Sequence, residues 1–132
     1  MLPALELIGL LGFFILSAMS AFVWWHVYEN GVHFLEVGGW PSPYGIVLQA
    51  DLFSSSINFF ISILGLCAYL FSLDEIRPRR SSAGYYSAMF TLTAGANGVL
   101  FSGDLFNMYV WIEVLVVSSF LLLSMGQEKK QI

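Results

Sequence analysis

Residues 102–125 read SGDLFNMYVWIEVLVVSSFLLLSM. From Leu105 to Met125 this stretch suits a membrane-spanning helix, which needs about 20 mostly apolar residues because hydrocarbon offers the backbone no partner outside its own helix. One residue breaks the pattern: Glu113, set among Val110, Trp111, Ile112, Val114, Leu115 and Val116. Ser102-Gly103-Asp104 supplies a tight turn ahead of it, with Asp104 placed to cap the helix.

Toward the N-terminus three further segments meet the same criterion: about Leu5 to Val27, about Leu52 to Leu73 and about Gly84 to Ser102. The first reads as a span rather than a signal peptide, because it has no basic start and no small-residue cleavage site. The predicted fold class is therefore an all-α membrane protein, a single membrane domain over 1–132 with four transmembrane helices. Composition agrees. Of 132 residues 58% are hydrophobic and 11% charged, too little polar surface to coat a water-facing globule and too much apolar surface for disorder. A net charge of −4 argues against nucleic-acid binding. Cys67 is a lone cysteine, so neither a disulfide scaffold nor a four-thiolate metal site is expected, and among Leu64, Leu66 and Leu70 it reads as a small buried hydrophobe.

Orientation follows from the basic residues. Arg77, Arg79 and Arg80 lie between helices two and three, and Lys129 and Lys130 follow helix four. The connection from Tyr28 to Ala50 has no Lys or Arg and carries Glu29 and Glu36. Four crossings place every Lys and Arg on one side, which makes both termini cytoplasmic and the long connection external, in the cell membrane. Trp24, Trp25, Tyr28, Trp40 and Tyr44 then form an aromatic belt at the outer interface. Pro3 and Glu6 suit the first turn of helix one. In the external connection, two β-capable runs, residues 32–37 and 46–49, flank the Gly/Pro cluster 38–45 and predict a β-hairpin-like loop within about 32–50.

Glu113 is the strongest candidate for chemistry. Nine residues into its helix it lies near the bilayer middle, where carboxyls are costly and usually mark a bundle interior or an ion path. Asn97, six residues before Gly103 on the antiparallel helix, reaches a similar depth, flanked by the small Ala94, Gly95, Ala96 and Gly98 that permit close helix approach. Asn97 is thus the natural partner of Glu113 on a proton or ion path, with interhelical glue at least as strong a reading. Ser54, Ser55, Ser56, Asn58, Thr91 and Thr93 offer further polar surface, with packing the favoured reading. Asp104 and Glu113, nine residues apart, fall on opposite helix faces, which makes Asp104 a cap or external-mouth residue. His26 is a proton-accepting candidate at the outer surface; with Glu29 at i+3 and His33 downstream it lacks enough ligands for a metal site, and none is expected. No phosphate loop, nucleophilic triad or haem motif is present in the sequence, so no catalysis and no cofactor are expected of this chain itself.

Two blocks carry a family resemblance. Residues 38–51, GGWPSPYGIVLQAD, resemble the external hairpin of the large subunits of Mrp-type cation/proton antiporters, the D subunit in particular, and Ala94-Gly95-Ala96-Asn97-Gly98 with 102–114 resembles that family's most recognisable stretch. The same family supplies antiporter-like subunits of respiratory complex I, membrane-bound hydrogenases and sulfane reductases. By this resemblance the chain, from about Leu5 to Met125, matches family helices two to five, and Glu113 matches the glutamate that the family couples to proton movement. The family's intramembrane lysine has no counterpart, since no lysine precedes Lys129. The resemblance implies a truncated antiporter-like subunit, working with other membrane subunits, full-length antiporter-like ones included, in moving H⁺ or Na⁺ through Glu113. The alternative is a structural spacer in the same complex. A stand-alone multidrug/proton exchanger is the third reading, weakened because that family's glutamate lies in helix one, where this chain offers only Glu6.

Overall fold

The computed structural model describes residues 4–41, 43–76 and 82–127. Four helices, α1 (Ala4–Asn30), α2 (Leu52–Ile76), α3 (Ser82–Phe101) and α4 (Leu105–Gln127), follow one another, with strands β1 (His33–Glu36) and β2 (Val47–Ala50) between the first two. Pro3, the three arginines and the two lysines that set the predicted orientation lie outside the described residues. Among the described residues three helices are long and apolar enough to cross a membrane: α1, α2 over Leu52–Leu73, and α4 over Leu105–Met125. The fourth, α3, is a 20-residue helix whose Ser87, Thr91, Thr93 and Asn97 dilute its apolar character.

Helix α1 runs three residues past its expected end. Gly31 stops it, adopting φ +84° and donating its N–H to the Val27 carbonyl at 2.9 Å, while the Asn30 amide donates to the His26 carbonyl at 2.9 Å. The chain then turns into an antiparallel β1–β2 pair, in register His33 with Ala50 through Glu36 with Val47, closed over Gly38 and Gly39. At α2, Asp51 and Ser54 cap reciprocally: the Ser54 N–H donates to Asp51 Oδ1 at 2.7 Å and the Asp51 N–H to Ser54 Oγ at 3.0 Å.

Consecutive helices pack on one another, and α1 also reaches α3 through stacked Phe13 and Phe90 rings 4.2 Å apart. The distribution of side chains inverts that of a soluble protein. Ser55 and Ser62 are fully buried, whereas Phe53, Phe71 and Leu105 are 74–79% exposed. Small polar side chains let helices approach closely where lipid supplies no hydrophobic drive between them. The apolar part of the interior, Phe13, Tyr69, Leu73, Tyr86 and Met89, lies toward the end away from the hairpin. Cys67 is exposed, not buried as expected; two residues before the buried Tyr69, it sits about 200° round α2 and joins the outward Leu64 and Phe71.

Candidate functional site

Helix α4 lies at the edge of the unit. Only 6% of its most apolar stretch is buried, against 28% for α2, because its main packing is on α3 along one face. Two glycines on α3 make that contact. A Cβ at Gly98 would drive into the Trp111 ring, and one at Gly95 would meet the Leu115 backbone at 3.0 Å. Buried Asn107 and Ser118 lie on the same inward face of α4.

Glu113 falls two residues from both Trp111 and Leu115, so a helix at about 100° per residue turns it away from α3. It is exposed, on the outer face of α4, in a stripe with Tyr109, Ile112, Val116, Val117 and Phe120. The Tyr109 hydroxyl, one turn earlier, lies beside the carboxyl. At a rise of about 1.5 Å per residue, Glu113 sits about 12 Å from the hairpin end of a helix about 34 Å long. The carboxyl is thus at membrane depth and directed out of the four-helix unit.

Asn97 is not brought to it. Its Oδ1 is buried with no hydrogen-bond partner, and at about 100° per residue it lies off the Gly95–Gly98 face that meets α4. The similar depth expected from sequence is compatible with the helix lengths, but depth alone does not select the face: Gly95 and Gly98 point at α4, and Asn97 does not. Asn58, on α2, is 4% exposed and has an Oδ1 in the same unpartnered condition. Around it, Ser62 donates to the Asn58 carbonyl at 2.9 Å, Ser17 to the Ser62 carbonyl across the α1–α2 contact at 3.1 Å, and Thr93 to the Met89 carbonyl at 2.9 Å. Ser54 and Ser55 are buried, Ser56 accepts from the Trp24 indole at 3.0 Å, and Thr91 is exposed.

Asp104 does two jobs. Its Oδ1 accepts the Asn107 N–H at 2.7 Å, which caps α4, and its Oδ2 accepts the Val47 N–H of β2 at 3.1 Å. The Gly103 N–H adds a 2.7 Å bond to the Val47 carbonyl, and Leu48 pairs with Ser102. The α3–α4 turn is therefore stitched to the hairpin, a long-range link that no local sequence pattern announces. His26 is exposed, stacks on His33 at 4.8 Å and contacts Asn30 through Nδ1. Among the described residues no three His, Cys, Asp or Glu side chains converge as metal ligands. Glu6, in the first turn of α1 as expected, is 4% exposed beneath Tyr69, whose hydroxyl donates to the Glu6 carbonyl at 2.8 Å.

No family model matches the chain. Individual relatives do. It is 41% identical over 106 residues to the D subunit of the Na⁺/H⁺ antiporter of Alkalihalophilus pseudofirmus and 42% identical over 106 to that of Bacillus subtilis, in each case 80% of this chain and 22% of the relative. It is also 30% identical over 92 residues to the N subunit of the NADH-quinone oxidoreductase of Desulforudis audaxviator, 68% of this chain and 18% of that protein. The chain thus spans about a fifth of the length of the curated relatives it matches.

Proposed function

We propose, on the premise that this chain is a homologue of the D subunit of Mrp-type cation/proton antiporters, that it serves a multi-subunit antiporter or a complex I-like machine by contributing part of an H⁺ or Na⁺ path through Glu113. The observation that carries this reading is the direction of Glu113. A carboxyl at membrane depth on an outward face is too costly to leave against lipid, so that face of α4 is covered by protein or lines a water-filled route. The covering surface supplies the second charged or polar group that a relay needs. It comes from segments beyond the matched fifth of the family's length or from a neighbouring membrane protein of the same complex.

In this reading α3 also crosses, making four spans. The connection 102–104 is too short to let α3 leave the membrane, and the Gly95 and Gly98 contacts hold it antiparallel against α4. Arg77, Arg79, Arg80, Lys129 and Lys130 then share the cytoplasmic side with both ends of the sequence, and the hairpin faces outward. Tyr109, one turn from Glu113, gives a proton donor beside the carboxyl.

Purification of the tagged chain in mild detergent, with mass spectrometry of what accompanies it, tests the partner reading. Full-length antiporter-like subunits are expected, with soluble redox subunits beside them if the machine is complex I-like. Recovery as a homo-oligomer free of other subunits would overturn it.

A further inference from the structure

The two unpartnered amide oxygens belong to one place. The Tyr69 and Tyr86 rings meet 4.9 Å apart across the α2–α3 seam. Asn58 lies eleven residues from Tyr69 toward the hairpin, and Asn97 lies eleven residues from Tyr86 in the same direction. Eleven residues are three turns to within about 20°, so each asparagine faces the seam its tyrosine faces, about 16 Å further along. Gly65 marks the seam between the two levels, since a Cβ there would lie 3.6 Å from Thr93 Oγ1. This register sets Asn58 and Asn97 opposite each other within about one turn.

Apart from the NH2 groups of the two asparagines themselves, the neighbouring Ser17, Ser62 and Thr93 have no hydroxyl hydrogen free for either oxygen. The hydroxyls of Ser62 and Thr93 donate to carbonyls of their own helices, and that of Ser17 divides between the carbonyls of Phe13 and Ser62. Their remaining capacity is as acceptors. A buried amide oxygen without a partner carries a desolvation penalty that native structures remove with a second protein group or an ordered water. An alkali cation fits poorly. The two asparagine NH2 groups would repel it, and no carboxylate balances its charge: Asp51 is engaged with Ser54 at the hairpin end, and Glu6 lies beyond the Phe13–Phe90 stack.

We propose that Asn58 and Asn97 form a buried hydration site between α2 and α3, in which an ordered water donates to Oδ1 of both residues. The fully buried Phe13 and Tyr69 rings close the seam on the side away from the hairpin. The site is separate from Glu113, which projects from the opposite face of α4, and it does not rest on the ion-path reading.

A cryo-electron microscopy map at about 2 Å of the assembled complex in lipid nanodiscs tests it. The expected result is a density peak at hydrogen-bonding distance, about 2.7–3.0 Å, from both amide oxygens. The peak persists when sodium is replaced by N-methylglucamine and is lost in Asn58→Leu. A direct Asn58–Asn97 side-chain hydrogen bond with nothing between them would overturn the proposal, as would a peak that vanishes without sodium. The wild-type map decides between these outcomes even if Asn58→Leu does not assemble.

Discussion

Asp104 allows a prediction in which two effects of one side chain separate. Its carboxylate holds the Asn107 N–H through Oδ1 at 2.7 Å and the Val47 N–H through Oδ2 at 3.1 Å. Asp104→Ala removes both. The cap is worth about 1 kcal/mol and a hydrogen bond to a charged group about 1.5–3 kcal/mol, so the local loss is about 2–4 kcal/mol. Asp104→Asn keeps an oxygen for the cap but turns an NH2 toward the Val47 N–H, donor against donor, and loses only the strand bond. Hydrogen exchange at single amides, in lipid nanodiscs, reads the difference. At about 1.4 kcal/mol per decade, Val47 exchanges about 10- to 150-fold faster in both variants, whereas Asn107 accelerates only in Asp104→Ala. Equal acceleration at both amides in Asp104→Asn, or none at either, would refute the argument that one carboxylate joins hairpin and helix.

Gly98→Leu should separate α3 from α4, because even a Cβ collides with the inner atoms of the Trp111 ring; overpacking of this kind costs about 1–3 kcal/mol or more, read as a lower Tm of the purified complex and loss of a cysteine cross-link engineered between the two helices. Tyr69→Phe removes the 2.8 Å bond to the Glu6 carbonyl in a fully buried position and should destabilise by about 0.5–1.5 kcal/mol in thermal unfolding, with no change if that carbonyl finds water. At Gly31 a Cβ meets nothing within 4 Å, yet φ is +84°, so Gly31→Ala should cost about 1 kcal/mol by backbone strain alone and loosen amide protection in the last turn of α1.

The elements were legible in the sequence because lipid makes a simple demand: long apolar runs for helices, and glycine, proline and aspartate where the chain leaves them. The Glu113 helix, its Asp104 cap and the hairpin strands are local patterns of this kind. What sequence could not supply was facing. Hydrophobic periodicity fails as a guide when both lipid and protein surroundings are apolar, so Cys67 reads as buried but is exposed, and Asn97 reads as level with Glu113 although it is Gly95 and Gly98, not Asn97, that meet α4. Spacing from those two glycines would have indicated the facing. Burial of Glu6 and the tie between Asp104 and Val47 depend on contacts 63 and 57 residues apart along the chain, which no window along the sequence contains.

Cation-driven proton exchange by the assembled complex carrying Glu113→Gln tests the central claim most directly. Glutamine keeps the size and an acceptor oxygen for Tyr109 but not the titratable charge. Everted vesicles with an acidic interior, a pH-sensitive dye and added sodium give the readout, with the composition of the complex checked on the same membranes. Exchange should fall to the level of vesicles lacking the complex while assembly stays normal. Exchange at the wild-type rate would remove Glu113 from the ion path and leave the chain a structural role.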